Sequence, residues 1–192
     1  MMIGVLHFSF TVSDIDKSVK WYTDVLGLEL VNRQRQNNEY TKKLVGMPDA
    51  ILEVARLRIP GVRHGASDHI LELVQYVVAS GPVVPLETNS PGIAHFAFLV
   101  DDILDRHKKL SGHGVSFRNP PVTITEGTNR GGMACYFHGP DGETLELLQP
   151  IALQSRYLVY QPLGRLGLSL RLFSMCVADG LLQSGKTTGR KK

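Results

Sequence analysis

Two histidines and two glutamates, His7, Glu72, His95 and Glu146, stand at matching points of a sequence that says nearly the same thing twice. The stretch VLHFSFTVSDI at 5–15 returns as IAHFAFLVDDI at 93–103, so His7 matches His95, Phe8 matches Phe96 and Asp14 matches Asp102. A second echo closes each copy: LELVQ at 71–75 returns as LELLQ at 145–149, which matches Glu72 with Glu146. Imidazole nitrogens and carboxylate oxygens ligate Zn²⁺, Ni²⁺, Mn²⁺ or Fe²⁺, and two carboxylates neutralise a divalent charge. One histidine on a strand is more often a hydrogen-bonded core residue than a ligand. Four such groups at repeat-equivalent positions favour one divalent metal ion.

The elements that must position them follow from periodicity. Side chains alternate across a strand, so Phe8, Phe10 and Val12 point one way and His7, Ser9 and Thr11 the other. In the closing strands Leu71 and Leu73 oppose Glu72, and Leu145 and Leu147 oppose Glu146. Each strand thus has an apolar face for a helix-covered core and one ionisable group on the other side. The four groups converge only if the halves pair about a pseudo-twofold axis.

Between these strands, Ser13–Gly27 reads as a helix, with Ser13 or Asp14 as cap, Ile15, Val19, Tyr22 and Leu26 as apolar stripe and Gly27 as stop. A strand is expected from Leu28 to about Arg35, and a short helix within Asn37–Asp49 with Tyr40, Leu44 and Met47 on one side. Strands at about Ile51–Ile59 and His69–Val77 complete the first half. The proline-bearing stretch Val78–Pro91 marks a linker. The second half repeats the plan with a helix at Asp102–Leu110, strands near Val115–Arg118, Gly132–Phe137 and Glu143–Gln149, and a turn at Gly139–Gly142. The histidines are 88 residues apart and the glutamates 74; the short helix of the first half accounts for the difference.

Composition sets the outer limits. A chain of 192 residues builds one globular domain or a close pair of half-domains. Two cysteines, Cys135 and Cys176, give no disulfide framework, and no apolar run reaches transmembrane length, so the expected setting is cytoplasmic, with no membrane partner. The net charge of +3 divides unevenly, because residues 1–150 carry 14 Lys and Arg against 17 Asp and Glu. The basic excess belongs to the tail 151–192, and without a basic, aromatic stripe on the body no nucleic-acid partner is expected.

The doubled βαβββ plan, the opening HxxxxVxDxxxSxxWYxxxLGLEL of His7–Leu30, the GIAHFAFxVDD of the second half and the closing PDGETLELLQP together resemble the vicinal oxygen chelate superfamily. That superfamily includes glyoxalase I, methylmalonyl-CoA epimerase, extradiol dioxygenases and the bleomycin resistance proteins. The resemblance covers about Val5–Pro150 and implies an α+β fold of two βαβββ modules whose mixed sheets form a cleft. The expected domain is 1–150, with module 1 at about 4–78, the linker at about 79–91 and module 2 at about 92–150, followed by an atypical basic tail. It also implies that His7, Glu72, His95 and Glu146 are the metal ligands, with Glu146 or Glu72 doubling as catalytic base.

The function so implied is a divalent-metal-dependent lyase or isomerase of glyoxalase or epimerase type, acting on a small oxygenated substrate through a metal-bound enediolate. Asn32 and Tyr76 stand where glyoxalase I typically carries an arginine and an asparagine that reach glutathione, which counts against that carrier. Methylmalonyl-CoA epimerases typically carry Gln at the position of Glu72. Two alternatives accompany this reading. An Fe²⁺ extradiol dioxygenase would use His7, His95 and Glu146, although Glu72 then fills a position that it needs open. A non-catalytic ligand-sequestering protein of the bleomycin-resistance kind usually lacks the quartet. Superfamily sites often form between subunits, so a homodimer is expected; whether the quartet assembles within one chain or across two stays open.

Other signals carry less. His64, His69, His107, His113 and His138 do not repeat and read as structural or solvated. Arg130 is either a surface arginine or an anchor for an anionic substrate group. Gly180–Thr187 satisfies the phosphate-loop pattern GxxxxGK[ST], but only five residues follow, one of them Gly189, so no helix is expected to present its amides and the match reads as chance.

Overall fold

The computed structural model describes residues 1–2, 4–62 and 69–151. The chain divides into two units, Met1–Gln154 and Ser155–Lys192; the second, with the phosphate-loop match, lies outside the described residues, as does His64. The elements run β1 (His7–Thr11), α1 (Ile15–Asp24), β2 (Glu29–Gln36), α2 (Glu39–Val45), β3 (Ile51–Arg58), β4 (Ile70–Val78), β5 (His95–Leu99), α3 (Ile103–Gly112), β6 (Val122–Thr123), β7 (Met133–His138) and β8 (Thr144–Gln149).

They form two four-stranded mixed sheets, ordered β1-β4-β3-β2 and β5-β8-β7-β6. In each, the first strand pairs parallel to the last and the others pair antiparallel. The architecture is therefore α+β, with two modules of one plan.

The repeated sequence is a repeated set of contacts. Asp14 caps α1 by accepting from the amides of Asp16 and Lys17, and Asp102 caps α3 by accepting from Asp105. These bonds hold the Asp14 carboxyl below the usual range, the Lys17 amide contributing most. The glutamine that ends each closing strand reaches the same helix start: Gln75 accepts from the Ile15 amide at 3.1 Å and donates to the Ser13 carbonyl, while Gln149 accepts from Ile103 at 3.0 Å and donates to Asp101. Amides with no intrahelical partner are thus bound to β4 and β8.

One core joins both modules. Ile15 and Tyr22 from α1, Leu71 and Leu73 from β4, Ile103 and Leu110 from α3, and Phe137, Leu145 and Leu147 from the second sheet belong to one buried cluster. Tyr22 is fully buried, and its hydroxyl donates to Glu143 Oε1 at 2.6 Å, across the module boundary. Burial, then the Glu143 charge, push the Tyr22 phenol well above its ordinary pKa, so it remains a donor. The other Glu143 oxygen accepts from the Asp141 amide, and a Cβ at Gly139 would lie 2.2 Å from the carboxylate, which is why the turn there uses glycine. Removing the phenol by Tyr22→Phe leaves a buried carboxylate oxygen without its partner. It is expected to lower unfolding free energy by about 1–3 kcal/mol. Urea denaturation measures this, and a change within about 0.5 kcal/mol, the usual range for an inconsequential site, would mean that the bond does not hold the modules together.

Two local outcomes differ from the sequence reading. The strand expected at Val115–Arg118 is a single bridge from Phe117 to Phe137. Two prolines at 120 and 121 cannot donate to a ladder, and regular pairing resumes only at β6. The side of the short helix that bears Tyr40, Leu44 and Met47 is exposed; α2 buries Thr41, and its Val45, like Val74 and Tyr76, packs against the buried cluster of Ala50, Leu52 and Val54. Those sheet residues lie on the opposite face from Ala55, Leu57, Leu71 and Leu73, which belong to the core shared with α1. The first sheet is thus covered by α1 on one face and in part by α2 on the other.

Candidate functional site

β1 and β5 are edge strands, and they meet through repeat-equivalent residues. The rings of Phe8 and Phe96 lie 5.3 Å apart, and the Ser13 amide donates to Asp141 across the same junction. Alternation places His7 and His95 on the opposite face of these two strands from that ring contact.

Each histidine is paired with the glutamate of its own module. His7 Nε2 is 3.6 Å from Glu72 Oε1, and His95 Nε2 is 3.2 Å from Glu146 Oε2. Both carboxylate side chains are 12 % exposed, against 35 % and 45 % for the imidazoles. His7 Nδ1 is buried without a hydrogen-bond partner, which is unusual for a histidine held purely for structure. Among the described residues no three His, Cys, Asp or Glu side chains gather closely enough to hold a metal ion. The arrangement is two His–Glu pairs, each turned on itself.

The pairs differ in their surroundings. Cross-strand register sets Ser9, Glu72, Arg56 and Asn32 in one row over β1, β4, β3 and β2, and Ala97, Glu146 and Tyr136 in the matching row over β5, β8 and β7. Directly paired residues share a face and touch. Arg56 Nε donates to Glu72 Oε2 at 2.8 Å, so Glu72 is held from both sides. Among the described residues Glu146 has no ion-pair partner beyond His95; burial raises its carboxyl above the ordinary range, with His95 opposing. The Tyr136 ring lies tilted, 5.3 Å from that of His95, and burial followed by the Glu146 charge raises its phenol. Sequence reading had not singled out Arg56 or Tyr136. Their signal is register, which appears only once β3 and β7 are placed beside the glutamate strands.

Other polar groups fall away from this centre. Arg130 is exposed in the turn before β7, and Cys135 is buried with its thiol pushed up to about 11, so it stays protonated at neutral pH. A cavity of about 380 Å³ lies at the module junction between β1, the linker and the start of β8. None of the four candidate ligands lines it, but Ser9, the register partner of Glu72, and Thr144, the register partner of His95, both do. The Thr144 hydroxyl is buried and without a partner.

A family model described as Glyoxalase/Bleomycin resistance protein/Dioxygenase superfamily matches residues 4–147. The chain belongs to this superfamily. Among curated relatives of this superfamily member, a 2-epi-5-epi-valiolone epimerase of an Actinomyces species is 33 % identical over 84 % of the chain and 90 % of its own length. A probable lactoylglutathione lyase of Vibrio parahaemolyticus is 27 % identical over 76 % of the chain and 89 % of its own. Among solved structures, a glyoxalase family protein from Bacillus cereus matches with a TM-score of 0.61 at 21 % identity, over 78 % of the chain and 95 % of its own. A superfamily domain from a Frankia species matches with a TM-score of 0.55 at 24 % identity, over 77 % and 97 %. At these identities the structures bear on the fold alone. Relatives named as an epimerase and as lyases point to an enzyme. Among the described residues no helix is long and apolar enough to cross a membrane.

Proposed function

We propose that this superfamily member is a divalent-metal-dependent enzyme that moves a proton at the carbon beside a carbonyl, in the manner of an epimerase. The observation that carries the reading is the asymmetric pair of His–Glu contacts flanking the Phe8–Phe96 junction. The donor set suits a divalent ion: two imidazoles, two carboxylates, and one imidazole nitrogen not committed to the fold. His7, Glu72, His95 and Glu146 would hold it after the two pairs part. The Phe8–Phe96 contact supports assembly within one chain. A divalent ion there supplies Lewis-acid stabilisation of the negative charge that develops on the substrate oxygen.

The chain's own groups do the rest. Glu72, gripped by Arg56, stays in place. Glu146, held by His95 and with its proton affinity raised by burial, takes the proton from carbon, and protonation of the opposite face from solvent completes the inversion. The junction cavity holds the body of a small oxygenated substrate, with the Ser9, Thr11 and Thr144 hydroxyls available to substrate oxygens. Epimerase chemistry is favoured over lyase chemistry by the higher identity and wider coverage of the epimerase relative.

Metal content of the protein purified without added metal, beside His95→Ala, tests the ligand set. Near-stoichiometric metal in the wild type and its loss in the variant is expected. Equal metal in both, or none taken up on dialysis against Zn²⁺, Ni²⁺, Mn²⁺ or Fe²⁺, would overturn the reading. Iron as the resident metal would move the reaction toward oxygen chemistry.

A further inference from the structure

Resting on that reading, we infer that Arg56 selects a substrate carrying one negative charge, by presenting the outer edge of its guanidinium to an anionic oxygen group. The row Ser9–Glu72–Arg56 lies on one face of the first sheet, so the guanidinium stands beside a candidate ligand. Its Nε is taken by Glu72 Oε2, which fixes the plane of the fork. Among the described residues Nε makes the hydrogen bond to Glu72 and neither Nη makes one, and the side chain is 40 % exposed. A guanidinium so placed keeps four N–H donors in a geometry that matches a carboxylate or phosphate edge.

Its neighbours are committed elsewhere or uncharged. Arg58, two residues along β3 on the same face, is paired with Glu29. Asn32, the next residue in the row, is neutral. At the matching place in the second module stands Tyr136, and the nearby Arg118 is engaged with Glu87 and Thr88. With two carboxylates balancing a divalent ion, Arg56 leaves the centre one positive charge in excess. A mono-anionic substrate closes that balance, and a neutral analogue with the same adjacent oxygens does not. Arg56 is therefore a specificity residue as well as a clamp on Glu72.

Pyruvate and pyruvamide present the same adjacent oxygens and nearly the same shape, and differ by one charge. Their binding to the Zn²⁺-loaded protein, followed by ligand-observed NMR, is the test, with zinc content measured on each sample. Wild type is expected to hold pyruvate at least about tenfold more tightly, Arg56→Gln to lose that preference while keeping its zinc, and Arg56→Lys to keep part of it. Equal affinity for the two compounds in the wild type, no binding of pyruvate, or an undiminished preference in Arg56→Gln would overturn the inference and leave the metal reading standing. A wild type that takes up no zinc or other divalent ion would overturn the metal reading, and this inference with it. The wild-type comparison decides even if a variant fails to fold.

Discussion

Glu146→Gln is expected to abolish exchange of the substrate's carbon-bound proton with solvent. In D₂O, a small carbonyl compound that the wild type labels beside its carbonyl should be labelled at least about 10²-fold more slowly, the usual loss when a positioned base is removed. A glutamine keeps the size of the side chain and one oxygen beside His95 but cannot take a proton. Glu72→Gln should behave differently. Its carboxylate is held by Arg56 on one oxygen and faces His7 with the other, so the substitution is expected to weaken metal retention while leaving measurable exchange. The opposite order, with exchange surviving Glu146→Gln and lost in Glu72→Gln, would reverse the roles. Exchange unchanged in both would remove proton abstraction by either carboxylate from the mechanism.

The largest stability effect is expected from Phe137→Ala. Phe137 is fully buried on β7, pairs in register with Leu145, and packs its ring 5.4 Å from that of Phe117, within the core that both modules share. Truncating a ring there removes its burial and leaves a cavity that close-packed neighbours fill only in part, a cost of about 3–5 kcal/mol. For a body of this size that lowers the melting temperature by roughly 10 °C. Calorimetry on the full chain reads it directly; a shift below about 2 °C would mean that the second sheet is not packed through this residue. Phe117→Ala at the half-buried partner should cost less, because part of its surface is already solvated.

The internal repeat made much of this legible from sequence. Alternation in β1, β4, β5 and β8 separated core-facing from ligand-facing residues, and recurrence at 7 and 95 and at 72 and 146 marked four groups that no single position would have justified. The helix starts were equally legible, because an aspartate cap acts through bonds spanning two or three residues. Periodicity was less informative for α2, where the side bearing Tyr40, Leu44 and Met47 faces solvent while Thr41 is buried. The pattern records an apolar stripe but not what lies against it. At Val115–Arg118 the apolar alternation was present, and the prolines that follow cut the ladder short.

By itself, then, the sequence determined the two modules, the edges at which they begin and end, and the identity of the four candidate ligands, since these depend on local period and repetition. Only the tertiary structure decided how these four candidate residues differ in their surroundings. It set Arg56 against Glu72 and Tyr136 against Glu146, and it joined the modules through Phe8, Phe96, Tyr22 and Glu143. Each of those partnerships spans between 10 and 121 residues of chain, and sheet register, not sequence separation, determines which side chains meet.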